Sequence, residues 1–188
     1  MAKYGVVNTD NLLGTQFGEH IESLIDVDND IENASIGYVG NQIEGERETR
    51  EFGVYDATTL TTKRAVLVCQ PAEIYYAPTP SAYNDDQFIN KAGKPFRAYS
   101  LAEGDEFSIS DYSITALNTT TGPVVGNFAT VVAGSTKIVE TATEPTTGTF
   151  YGEIIDIGSF PANYQMGFTN LPEAPFKWVS IRVVKNSV

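Results

Sequence analysis

At 188 residues the chain is long enough for one domain, or one domain with an appendage, and can bury a core without covalent staples. Its net charge of −12 falls mostly on residues 1–56, where twelve acidic and three basic residues leave −9, so phosphate backbones are repelled and direct nucleic-acid binding is excluded as an expectation. A single cysteine, Cys69, excludes an intramolecular disulfide framework and fits a reducing compartment. Neither a signal-peptide pattern at the start nor a membrane-length apolar run occurs, so a soluble protein made in the cytoplasm, with no membrane partner, is expected.

Residues 1–18 mix Gly, Asn and Thr with apolar residues in no sustained period, which predicts an extended N-terminal arm. Tyr4, Val6, Val7, Leu12, Leu13 and Phe17 make it more apolar than a solvated tail needs, so these six are candidates for contact with a neighbouring subunit. Ile21, Leu24 and Ile25 sit at i, i+3 and i+4, predicting one or two turns of helix over His20–Ile25. Asp26, Asp28 and Asp30 follow at alternate positions, as in a calcium loop. The sixth position is Ile31 rather than Gly and the twelfth is Gly37 rather than Glu, so the EF-hand is rejected. Between an irregular Ca2+ site near Asp26–Glu32 and a solvated acidic loop, the loop is preferred.

Short strands are predicted from Ala34 (SIGYVG) and over GERETREFGVYD, where Arg47 and Arg50 among four glutamates could pair across the surface. Lys63–Gln70 is the most apolar run, and Ala65–Cys69 is apolar on alternate and intervening positions alike, as in a strand buried on both faces. Cys69 is then a small buried hydrophobe. Residues 71–86 form a connector stiffened by Pro78 and Pro80. Its Tyr75, Tyr76 and Tyr83 could stack on sugars, pack on a partner protein or cover a barrel end.

Lys94–Ser100 and Glu106–Ser110 alternate with period two around Glu103-Gly104-Asp105, predicting two strands folded on each other as a hairpin. Further strands are expected at Asp111–Asn118, Val124–Ala133, Lys137–Thr143 and Phe150–Ile157, in a stretch where 11 of the 35 residues from Thr115 to Thr149 are Thr. Near the end, Val179, Ile181 and Val183 share one face of KWVSIRVV, a strand expected to pair with an internal one. The fold class is therefore all-β, a β-sandwich or barrel with an extended N-terminal arm and at most one short helix. Residues 1–18 are taken as the arm and 19–188 as the β-rich domain, with a sub-boundary near 71–90.

No enzyme class finds its parts. His20 is the sole histidine and has no nucleophile motif near it. No His/Cys cluster has zinc spacing, no glycine-rich loop opens a helix, and no cofactor is expected. Asp85-Asp86 and Asp105-Glu106 are adjacent in sequence, so on strands they would point to opposite faces, unlike a glycosidase pair.

The order DIENASIGYVG, GERETREF, KRAVLVCQPAEIYY and FINKAGKPFRAYSLAEGDEFSIS resembles structural proteins of tailed-phage heads, most closely the small capsid decoration (cement) proteins. The likeness covers roughly residues 24–115. It rests on Asn33, Gly45-Glu46-Arg47, Pro71, Gly93, Arg97 and Gly104-Asp105; where the pattern usually has Gly after Asn, this chain has Ala34. The resemblance implies a β-rich, non-catalytic virion protein on the capsid surface. Its partners would be the major capsid protein and other copies of itself, and residues 19–188 would be the capsid-binding domain. The alternative is a carbohydrate-binding or adhesin module on a virion head or tail, using Tyr75, Tyr76, Tyr83 and Trp178.

Overall fold

The computed structural model describes residues 4–12, 20–70, 88–159 and 177–187. In chain order the first strands are β1 (Val7–Asn11), β2 (Ile21–Ile25), β3 (Ile36–Gln42), β4 (Thr49–Gly53), β5 (Val66–Val68) and β6 (Phe96–Ser100). The rest are β7 (Glu106–Ser110), β8 (Ile114–Thr115), β9 (Phe128–Thr130), β10 (Ile138–Thr141), β11 (Phe150–Ser159) and β12 (Lys177–Asn186). The fold is all-β, as expected, and it contains both a barrel and an open sheet. Strands β2-β4-β3-β5-β6 close into a five-stranded ring, with β2 and β4 parallel and the other neighbours antiparallel. The remaining seven form a sheet in the order β1-β7-β12-β11-β9-β10-β8.

Strand β5 explains how the two units fit together. Val66 and Val68 point into the barrel with Leu24, Ile31, Phe52, Phe96 and Ala98. Leu67, between them, points outward into a larger core shared with Ile36, Tyr55 and Tyr99 of the barrel side and Phe107, Ile109, Ile154, Val179, Ile181 and Val183 of the sheet. The sheet lies against the outside of the barrel, so β5 is buried on both faces and needs an unbroken apolar run. Cys69 is half-buried against the same shared core. Strand β12 carries its apolar stripe as expected, with Val179, Ile181 and Val183 essentially inaccessible, and it is central, flanked by β7 and β11.

Two local expectations are corrected. His20–Ile25 is no helix: Ile21–Ile25 is strand β2, paired with β4 on one side and β6 on the other. A helix of one or two turns makes few internal hydrogen bonds, whereas the two flanking ladders between them pair every residue of Ile21–Ile25. The predicted hairpin also does not form. Both strands exist, but β6 pairs with β2 and β5 in the barrel, while β7 pairs with β1 and β12 in the sheet.

The turn between β6 and β7 has the expected geometry, with Gly104 at φ +93°. The Asp105 N–H donates to the Ala102 carbonyl, and the Asp105 carboxylate accepts from the Ala102 N–H at 2.7 Å. Instead of folding β7 back on β6, this turn docks on β12: Gly104 N–H donates to Val183 O, and Val183 N–H donates to Asp105 O. Period-two alternation marks a strand but does not choose its partner.

Two further strands are shorter than expected. Asp111–Ser113 is a 3-10 turn, leaving Ile114–Thr115 as β8, and only Phe128–Thr130 of the 124–133 stretch is strand.

Buried amides join the parts. Asn186 at the end of β12 accepts from Ala65 N–H at 2.7 Å and donates to the carbonyls of Ala65 and Leu101 at 2.9 and 2.8 Å. Asn33 exchanges two hydrogen bonds with the backbone of Gln70 and accepts from Asn90 Nδ2, which also donates to Ile31 O. Each side chain does the work of a missing strand neighbour, because a buried amide left unpaired would cost about 1–3 kcal/mol.

Candidate interaction surface

The acidic segment after β2 is engaged locally. Asp26 Oδ1 accepts the backbone N–H groups of Asp28 and Asn29 at 3.0 and 2.8 Å, closing a turn. Asp30 binds Lys91 Nζ and the Ala92 N–H, which holds its carboxyl below the usual aspartate range. Glu32 accepts the Gly5 N–H at 3.0 Å. Among the described residues no group of three or more His, Cys, Asp and Glu is placed to share a metal ion. Asp56 likewise caps the 3-10 turn at Thr59–Thr61, and its bonds from the Thr59 and Thr58 N–H groups and the Thr59 hydroxyl lower its pKa.

Asp105 and Glu106 also have separate structural tasks. Asp105 is buried in its turn, whereas Glu106 pairs with Arg182 across the β7–β12 ladder at 2.8 Å. Arg182–Glu106 and Lys91–Asp30 are the ion pairs among the described residues, so Arg47 and Arg50 do not form the expected cross-strand pairs. Asp85 and Asp86 lie outside the described residues.

The six arm residues have different fates. Val6 and Leu12 are buried in the chain's own structure, Leu12 within the shared core, so they are part of the fold rather than an outer contact surface. Val7 is half-buried against that core, and Tyr4 is half-buried. Leu13 and Phe17 lie outside the described residues. The backbone here is held at close range: an added Cβ on Gly5 would stand 2.0 Å from the Asn33 carbonyl oxygen, and Val6 N–H donates to Ser110 Oγ. Of the aromatic candidates, Trp178 is half-buried on β12, opposite Ser110 and Gly158. Tyr75, Tyr76 and Tyr83 lie outside the described residues.

The surface most suited to contact was not singled out by the sequence reading. Residues 116–127 connect β8 to β9 and contain no ionisable side chain. They expose Leu117 at 63%, Val124 at 48% and Val125 at 53%. The segment is nevertheless closely organised around one buried carboxylate. Glu140 Oε2 accepts Leu117 N–H at 2.7 Å, while Oε1 accepts Val124 N–H at 2.8 Å and Asn127 Nδ2 at 2.6 Å.

Asn118 Oδ1 caps Thr120 and Thr121, and Gly122 N–H returns to Asn118 O. At the far side, Gly126 and Asn127 exchange backbone bonds with Ile154 of β11. A buried charge is tolerable when several donors satisfy it, and here those donors come from the loop. A glutamate at an inward position of an otherwise apolar strand, Ile138-Val139-Glu140, was the available sequence signal.

Comparison with protein-family models, with curated proteins and with solved structures gives no match.

Proposed function

We propose that this chain is a non-catalytic structural protein of a tailed-phage virion, which binds the outer surface of the capsid and stabilises contacts between major capsid subunits. The observation that carries this reading is the exposed apolar segment at Leu117, Val124 and Val125, held in one conformation by Glu140 on an all-β scaffold. A surface ordered before contact loses little further conformational entropy on binding. Many equivalent sites on a shell then multiply modest single contacts through avidity. The resemblance of residues 24–115 to decoration proteins supports the same assignment, and the acidic side chains described above serve turns and backbone donors rather than a shared reacting centre.

The test is co-sedimentation of the purified protein with heads of its source phage that lack it, counting copies bound per head. Saturation at a number set by the shell's symmetry is expected. Absence of binding to heads, together with saturable binding on a glycan array that Trp178→Ala abolishes, would replace this reading with carbohydrate recognition.

A further inference from the structure

We infer that Glu140 is a latch for residues 117–122, a strap held closed by the ionised carboxylate and released when a proton or an amide takes the place of one of its two free acceptor oxygens.

The strap has little else to hold it. Leu117 to Thr121 are exposed, and no side chain of residues 116–127 is buried. Its order comes from polar anchors at the two ends of the connection, and one buried side chain serves both. At the entry Leu117 N–H donates to Glu140 Oε2; at the exit Val124 N–H and Asn127 Nδ2 donate to Oε1. The exit has a second hold, since Gly126 N–H donates to Ile154 O and Ile154 N–H donates to Asn127 O, each at 2.8 Å. Gly122 N–H, by contrast, donates to Asn118 O within the strap itself. Among the described residues, the bond from Leu117 is what ties 117–122 to the rest of the chain.

An ionised carboxylate accepts on both oxygens and donates on neither, which suits three converging N–H groups. A neutral acid carries one O–H and a glutamine one NH2, so in either case a donor comes to face a donor. The remaining acceptor is best turned to the exit, where two donors wait, and the mismatch then falls on Leu117 N–H. The entry end opens while the exit stays closed. Closure and ionisation thereby support each other, and the strap is released as the pH falls through the carboxyl's own titration.

The described elements around the latch bring no second charge to it. Residues 116–127, β8 and β9 contain no ionisable side chain, and Glu140 is the one on β10. Glu140 stands opposite Ala129, itself opposite Gly152, on the core face of the sheet; Glu153 lies opposite Phe128, one residue along, and so on the other face. Asp156, further along β11, is exposed. Of the groups just outside β10, Lys137 Nζ donates to Tyr112 O and Glu144 accepts from the Tyr151 hydroxyl. The shared core contributes Tyr55 and Tyr99, with Tyr38 and Cys69 at its margin, and these are neutral throughout the acidic range.

The experiment follows the backbone amides of the full chain by hydrogen exchange and NMR in wild type, Glu140→Gln and the control Glu153→Gln, which removes the same charge from the other face. At neutral pH the expected result is at least tenfold faster exchange at Leu117 and Gly122 in Glu140→Gln, with Gly126 and Ile154 protected as in wild type and Glu153→Gln unchanged. On acidification of wild type, the amide resonances of 117–122 should move in step with the Glu140 carboxyl carbon, a step that Glu140→Gln lacks.

Protection of Leu117 and Gly122 that survives Glu140→Gln would overturn the latch, as would equal acceleration in Glu153→Gln. Simultaneous release of Gly126 and Ile154 would overturn it too, because Glu140 would then hold the sheet rather than the strap. Where Glu140→Gln does not fold, the wild-type titration decides alone: amides of 117–122 that stay in place while the Glu140 carboxyl titrates, or that move only as β12 unfolds, exclude the device.

Discussion

Ala34 has φ +63°, the one positive value at a non-glycine among the described residues, and its methyl group is buried in the shared core. The left-handed conformation costs an L-residue about 1–2 kcal/mol, which a glycine avoids. Against that stand the loss of a buried methyl, about 0.8 kcal/mol, and the larger chain entropy of glycine, about 0.5–1 kcal/mol. The terms nearly cancel, so Ala34→Gly should change the free energy of unfolding by less than about 1 kcal/mol. Ala129, equally buried but in strand β9, lacks the conformational gain, and Ala129→Gly should cost about 1–2 kcal/mol by the same bookkeeping. Urea titration of both variants gives the comparison; equal losses would mean that the conformation at Ala34 carries no strain.

At the scale of elements, strand β1 is an edge stave of the sheet. It pairs with β7, its flanking Val6 exchanges bonds with Ser110, Gly5 binds Glu32, and Leu12 fills the core. Burying a Val or Leu side chain contributes about 1.5–3 kcal/mol each. Removal of residues 1–12 should therefore lower the thermal midpoint by roughly 10 °C or more, given about 2–4 °C per kcal/mol for a domain of this size. An unchanged midpoint would return these residues to the role of a dispensable arm.

Elements also mark the boundary of what the sequence discloses. The runs at Ala65–Val68 and Val179–Val183 were legible because burial on two faces, or on one, writes a pattern into consecutive residues. The partners of β6 and β7 were not, since nothing within Phe96–Ser110 states that Glu106–Ser110 pairs with β1 and β12 while Phe96–Ser100 pairs with β2 and β5. The segment 20–25 misled because three apolar residues in six fit a helix face as well as a strand. The loop at 116–127 stayed hidden for a different reason: its order depends on Glu140, thirteen or more residues away, and on Ile154 in another strand.

For the whole molecule, barrel and sheet are two architectures with one interior. Leu67 and Tyr99 from the barrel and Ile109, Ile154 and Ile181 from the sheet share a core, and Asn186 ties β12 to Ala65 and Leu101 by three hydrogen bonds. Neither unit can separate without exposing apolar area and orphaning buried amides. The amides of β5, β6 and β12 should accordingly exchange with solvent only through one shared opening, with the same dependence on denaturant in hydrogen-exchange measurements. Early exchange of β12 while β5 stays protected would divide the molecule into two cooperative units.

The closed ring has a further consequence, one of rate. An open sheet can lose its outermost strand and fray inward, but β2 is zipped to β4 on one flank and β6 on the other, and every stave of the ring is held in the same way. Removing any one breaks two ladders at once. Opening of the ring is therefore expected to be a steep step, slower than the fraying of the open sheet at its edge strands β1 and β8.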